Sequence, residues 1–201
     1  MTTSQNTRGK LLVLYGINNL GKSTQAKLLV ERLKKEGYQP SYLKYPIYDI
    51  EPTGPKINEV LRGGQAQAMS EEELQALYAQ NRRDFEPQLK TRLAQGLMVV
   101  AEDYTGTGLA WGLTKGAKLE ILENQNTDLL KEDLAIWLEG QRFLAGKEEN
   151  HLHESNHELM ERCRDTHKIL AERYGWQPVN ANQSIDQVAD DIWEIVEPIL
   201  K

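Results

Sequence analysis

Leu11-Leu12-Val13-Leu14-Tyr15-Gly16-Ile17-Asn18-Asn19-Leu20-Gly21-Lys22-Ser23-Thr24 is the stretch that decides the fold. Five apolar residues, Leu11–Tyr15, end at a glycine, and a continuous run of that length predicts a strand buried on both faces. From Gly16 to Ser23 the chain fits G-x-x-x-x-G-K-[ST] at every fixed position. Glycines let the backbone turn tightly and approach an anion without an intervening Cβ. The main chain of Gly16, Asn18, Asn19, Leu20, Gly21, Lys22, Ser23 and Thr24 is therefore expected to cradle phosphates at a helix N-terminus. Lys22 supplies a cation to the β/γ oxygens, and the Ser23 hydroxyl is a ligand for Mg²⁺.

Outward from this loop, Ala26, Leu29, Val30 and Leu33 recur at helical spacing within Lys22–Glu36, and Gly37 stops the pattern. Further strands are predicted over Ser41–Tyr45, Leu97–Ala101, Leu134–Leu138 and Gln177–Asn180. Helices are predicted over Lys56–Leu61 (closed by Gly63-Gly64), His157–Tyr174 and Ile185–Leu200. Another opens on the capping box Ser70-Glu71-Glu72-Glu73, and Pro87 is expected to kink or divide it. Strands alternating with helices imply an α/β, three-layer P-loop NTPase fold: a five-stranded parallel sheet covered by helices on both faces. No repeat or linker divides the chain, so 1–201 reads as a single domain with a frayed tail at 1–8 and a short lid at about 140–156.

Composition narrows the function. The 201 residues carry 24 Lys+Arg against 30 Asp+Glu, a net charge of −6, which disfavours a nucleic-acid partner. One cysteine cannot form an internal disulfide. No apolar run approaches the ~18–20 residues of a membrane span, and the polar N-terminus is not expected to be a signal peptide. A cytoplasmic setting is the expectation. His151, His153 and His157 sit close in sequence but in a polar stretch without a nearby cysteine, so a solvated loop is expected rather than a metal site. Cys163 falls on an inward stripe with Leu159 and Leu170 and reads as core.

A GTPase would carry an Asn/Thr-Lys-x-Asp motif after a later strand, and none is present. The length instead suits a small kinase. Along nearly the whole chain the order of motifs resembles the thymidylate kinase family: LVLYGINNLGKSTQAKLL, Lys44-Tyr45-Pro46, Ala79–Arg82, Glu102-Asp103-Tyr104 with Thr107, Ala110 and Trp111, and the closing ILAERYGWQPVNANQSIDQVADDI. The resemblance implies transfer of the γ-phosphoryl of ATP to a nucleoside monophosphate, with dTMP favoured, and a homodimer.

Departures from the family pattern cluster on the acceptor side. Its Asp-Arg pair is Glu102-Asp103 here, its acid before the loop is Tyr15, its acid within the loop is Asn18, and Tyr48 stands nearest the arginine expected after Pro46. The lid's basic candidates are Arg142 and Lys147. Two charges 4 Å apart interact by roughly 4 kcal/mol at an effective dielectric of about 20, so arginine-to-aspartate turns attraction for an acceptor phosphate into repulsion. Asp103 then turns away, is bridged by Mg²⁺ or a basic residue, or faces an acceptor without a phosphate, for which a carboxylate can act as general base.

The catalytic expectation rests on Lys22, Glu102 and Arg142, with Glu102 joining Ser23 at the metal. Tyr45, Tyr48, Arg82, Asp103 and Tyr104 are expected to shape the pocket of a small-molecule nucleotide. Arg82 lies on the apolar stripe of Leu74, Leu77, Tyr78, Phe85 and Leu89; it either grips an acceptor phosphate or is buried in a salt bridge to Glu102 or Asp103. Lys44, Lys56 or Arg83 are candidates to replace the missing arginines. Two other readings stay open: a kinase for another nucleotide or a bare nucleoside, and a nucleotide-binding regulator without transferase activity.

Overall fold

The computed structural model describes residues 8–62, 69–143 and 157–200. Lys147, His151, His153, Gly63-Gly64, the tail before Arg8 and the lid beyond Phe143 lie outside the described residues. The elements run β1 (Leu11–Tyr15), α1 (Lys22–Lys35), β2 (Pro40–Lys44), α2 (Thr53–Arg62), α3 (Glu71–Ala94), β3 (Met98–Glu102), α4 (Thr105–Thr114), α5 (Leu119–Asn124), β4 (Leu134–Glu139), α6 (His157–Tyr174), β5 (Gln177–Asn180) and α7 (Ile185–Leu200). The five strands form one all-parallel sheet in the order β2-β3-β1-β4-β5.

Strand period explains the layers. In β1, Leu12 and Leu14 point into a core shared with Leu29, Leu33, Ile192 and Val196, on α1 and α7. Leu11, Val13 and Tyr15 point the other way, onto Phe85, Leu89, Leu109 and Leu170, on α3, α4 and α6. All five β1 side chains are buried, as a central parallel strand requires. The chain leaves β1 toward β2 on one side, while β4 and β5 build the other. The strand order therefore reverses at β1, and its carboxyl end faces a crevice where ligands of open α/β sheets bind.

Two expectations need correction. Pro87 does not divide its helix: α3 runs unbroken for 24 residues from the Ser70 capping box to Ala94. A proline removes one N–H from the ladder at a cost of about 3 kcal/mol, and burial of Phe85, Leu89 and Leu93 around it, roughly 1.5–3 kcal/mol each, outweighs that. The segments α4 and α5 were not expected as helices. Three glycines in TGTGLAWGLT lower helix propensity, yet tertiary packing requires them. A Cβ on Gly106 would stand 2.5 Å from Trp176 and 2.9 Å from Tyr15, and one on Gly112 would meet Leu122 at 2.7 Å.

His167 on α6 is fully buried, with Nδ1 2.8 Å from the Cys163 carbonyl and Nε2 enclosed without a partner among the described residues. Cys163 beside it is core, as expected, its thiol pushed up to about 12 by burial. Burial also pushes the His167 imidazole down to about 4, against an ordinary value near 6.5. Between those values the unfolded chain takes up a proton that the folded chain refuses, so stability falls as pH drops from about 6.5 toward 4, by at most ~3 kcal/mol. Urea midpoints taken at pH 7, 6 and 5 should decline for the native chain, with a shallower decline in His167→Gln; parallel curves would remove His167 as a source.

Candidate active site

The loop after β1 closes around its own lysine. Gly16 adopts φ +140°, and a Cβ there would lie 2.8 Å from the Leu138 carbonyl oxygen, so only glycine fits the turn. Lys22 is 6% exposed, and its Nζ donates to the Gly16 and Ile17 carbonyls at 2.8 and 3.0 Å. The loop thus holds the ammonium over the open N-terminus of α1, where the first backbone N–H groups of Lys22, Ser23 and Thr24 have no helical acceptor. The Phe143 N–H donates to the Asn19 carbonyl, tying the segment after β4 to the loop. Asn19 Nδ2 is buried on the wall of the cavity in front without a partner among the described residues, a donor suited to an anion.

Ser23 Oγ donates to Glu102 Oε1 at 2.9 Å, which brings together the two oxygens expected at the metal. Tyr42 donates to the other carboxylate oxygen at 2.7 Å, and Lys44 Nζ lies 2.8 Å from Oε1. Burial pushes Glu102 toward protonation, but hydrogen bonds from Lys44, Ser23 and Tyr42 outweigh it and hold the carboxyl below its usual range. An ionised carboxylate with a hydroxyl beside it is an oxygen donor set that a hard cation such as Mg²⁺ accepts.

Asp103, the next residue, takes φ +62°, a left-handed turn that ends β3 and starts α4. Its Oδ1 accepts from Thr107 Oγ1 at 2.9 Å and lies 3.7 Å from Lys22 Nζ. Of the three outcomes open to Asp103, bridging by a basic residue is the one observed, and Lys22 is that residue. Burial raises the Asp103 carboxyl, and the ammonium opposes that rise.

These groups open onto one cavity of about 490 Å³. Asn18, Asn19, Gly21, Lys22, Ser23, Thr24, Glu102, Asp103, Tyr45, Tyr48 and Arg82 all face it. Arg82 is 5% exposed and pairs with neither Glu102 nor Asp103; Nη1 meets Asn126 Oδ1 at 3.2 Å, and Nε has no partner among the described residues. Burial lowers its pKa, although a guanidinium stays protonated. Asn81, one residue before it, clamps the Ile47 backbone through Oδ1 and Nδ2 and so sets the loop that carries Tyr48.

Other expected site residues lie elsewhere. Tyr104 is not a cavity wall; its hydroxyl donates to the Leu130 carbonyl and its ring packs 5.1 Å behind Tyr45. Arg142 is not one either. The Gln141 and Phe143 N–H groups are tied to Asn182 and Asn19, which turns Phe143 to the large cavity and Arg142 to a separate hollow beside Ile17, His157 and Arg164. The Leu20 side chain is core while its main chain stays in the loop, and the Gly16 carbonyl accepts from Lys22. Tyr15 stacks on Trp176 at 4.3 Å and donates to Glu132 behind α4. Arg83 is spent on Asp128, and Lys56 is not a wall, so Lys44 is the replacement candidate that reaches the cavity.

Residues not anticipated are Gln75, Tyr78, Glu71 and Lys115. Glu71, Gln75, Tyr78 and Arg82 recur at steps of four, three and four, the spacing of one helical face, a signal present in the sequence. No group of three or more potential metal-binding side chains occurs among the described residues, where His157 is exposed, and no described helix is long and apolar enough to cross a membrane.

A family model described as thymidylate kinase matches residues 14–192. The chain is 30% identical to human thymidylate kinase across 96% of its own length and 92% of that protein. It is 28% identical to thymidylate kinase of Plasmodium falciparum across 98% and 94%. A solved thymidylate kinase from Candida albicans superposes with a TM-score of 0.78 at 24% identity, covering 95% of this chain and 92% of that one, which supports the fold.

Glu102→Gln keeps the shape but removes the charge that Ser23, Tyr42 and Lys44 surround. Calorimetry should show Mg²⁺-dependent ATP binding weakened about tenfold or more, with little change when Mg²⁺ is chelated. Equal Mg²⁺ dependence in both proteins would take Glu102 out of the metal site.

Proposed function

The chain belongs to the thymidylate kinase family, and from that membership we propose that it transfers the γ-phosphoryl group of ATP to dTMP, giving dTDP and ADP. The observation that carries this reading is that the cradle holding Lys22 and the pocket holding Arg82 are two parts of one cavity. Donor and acceptor can then be held in line, which is most of what phosphoryl transfer asks of a protein.

The loop from Gly16 to Thr24 binds the triphosphate through its N–H groups. Lys22 exchanges its two carbonyl contacts for the β/γ oxygens and offsets charge on the transferred group. Ser23 and Glu102 are the residues that would hold Mg²⁺, which when bound neutralises the donor phosphates. An oxygen of the acceptor phosphate attacks the γ-phosphorus, the bond from that phosphorus to the β-bridging oxygen breaks, and ADP departs. That nucleophile is already ionised, so no general base is required. Arg82 positions the acceptor, while Tyr45 and Tyr48 wall its pocket.

Asp103 does not obstruct a phosphate as an isolated anion would, because Lys22 stands 3.7 Å from it. Lys44, half exposed and 2.8 Å from Glu102, supplies the cation at the mouth of the acceptor side. The homodimer and the cytoplasmic setting implied by the family resemblance belong to this same proposal.

A coupled ADP-release assay with ATP, Mg²⁺ and a panel of deoxynucleosides and their monophosphates tests it. Turnover should require a monophosphate and be fastest with dTMP. Turnover of bare nucleosides would assign Asp103 the role of general base, and ATP binding without acceptor-dependent turnover would make the chain a regulator. Lys22→Ala should lower kcat by about 10³-fold or more while leaving the melting profile cooperative. Substantial residual kcat would contradict the role given to Lys22.

A further inference from the structure

Gln75 is 3% exposed on α3, and its amide is polarised by its neighbours. Nε2 donates to Glu71 Oε1 at 2.7 Å, and Glu71 is fixed in turn by Lys115, whose Nζ lies 3.1 Å from the other carboxylate oxygen. A carboxylate accepts and cannot donate, so it takes the NH₂ end of the amide and leaves the oxygen facing the other way. That oxygen, Gln75 Oε1, is buried on the wall of the large cavity with no hydrogen-bond partner among the described residues. A buried acceptor without a donor is costly, which marks a position where a bound molecule completes the set.

The donor next to it is Arg82. A Cβ built on Gly108 would lie 2.9 Å from Gln75 Oε1 and 3.0 Å from Arg82 Nη2, so the two groups converge on one spot of the wall, kept clear because residue 108 has no side chain. The cavity there presents an acceptor and a guanidinium donor side by side.

We propose that Gln75 is a specificity-determining residue for the acceptor base, accepting a hydrogen bond from a ring N–H while Arg82 donates to the adjacent carbonyl. Resting on the kinase reading above, this selects a base whose edge carries an imide: N3–H beside the 4-carbonyl of thymine. Cytosine presents the reverse, an unprotonated N3 and an exocyclic amine, which sets lone pair against lone pair at Gln75 and donor against donor at Arg82. On this placement Arg82 serves the base rather than the acceptor phosphate. Glu71 and Lys115 are positioning residues that hold the amide in one orientation.

The experiment measures kcat/KM for dTMP and for dCMP, and calorimetric affinity for each, in the native protein, Gln75→Leu and Glu71→Gln. Gln75→Leu should cut the preference for dTMP over dCMP by about tenfold or more, through a higher KM for dTMP, with the KM for ATP unmoved. Glu71→Gln, which lets the amide rotate, should shrink the preference mainly by improving dCMP, a change that loss of packing would not produce. An unchanged preference in both variants, with the native protein favouring dTMP, overturns the role of Gln75 and leaves the kinase reading standing. A native protein that transfers nothing to dTMP overturns the kinase reading, and the affinity ratios still decide Gln75: equal binding of dTMP and dCMP refutes it, and a preference lost in Gln75→Leu upholds it.

Discussion

Burying an ammonium group costs several kcal/mol unless oxygens surround it, and the site is organised around meeting that demand at Lys22. Two loop carbonyls and one carboxylate do so. The carbonyls come from Gly16 and Ile17, so the lysine is held by the same backbone that must later wrap an anion. The carboxylate comes from Asp103, at the carboxyl end of the neighbouring strand β3. Register between β1 and β3 therefore sets the charge balance of the cavity as well as the sheet: Leu14 lies beside Glu102, and the Asp103 N–H donates to the Leu14 carbonyl.

This arrangement accounts for an acceptor side so altered from the family pattern. An aspartate in place of a cation would repel a phosphate if it stood alone. Paired with Lys22 and capped by Thr107, it forms a near-neutral unit instead. Glu102 is likewise balanced by Lys44. Lys22 and Lys44 both face the cavity, each beside one of these two carboxylates. Compact ammonium groups bind phosphate as point charges and impose less geometry than a guanidinium fork does.

Much of the fold was legible because its signals are local. A glycine-bounded apolar run, a phosphate-loop motif and a helical stripe in succession leave little freedom for β1 and α1. The capping box placed the start of α3 at Ser70 for the same reason. What was illegible depends on contacts across the chain. Glycines in α4 read as helix breakers until Tyr15, Trp176 and Leu122 show why no larger residue fits. Tyr104, expected to shape the acceptor pocket, packs behind Tyr45, and Arg142, expected to reach the phosphates from the lid, lines a separate hollow. Pairing of Asp103 with Lys22 could be posed as an alternative from sequence, and only the strand register chose it. Gln75 lacked a motif, and what singles it out is an oxygen with no partner among the described residues.

Because α4 has little helical tendency of its own, its order is borrowed from α6 on one side and from α3 on the other. The same helix lines the cavity through Thr107, Gly108 and Trp111. That side of the cavity is therefore only as firm as the docking of this one helix.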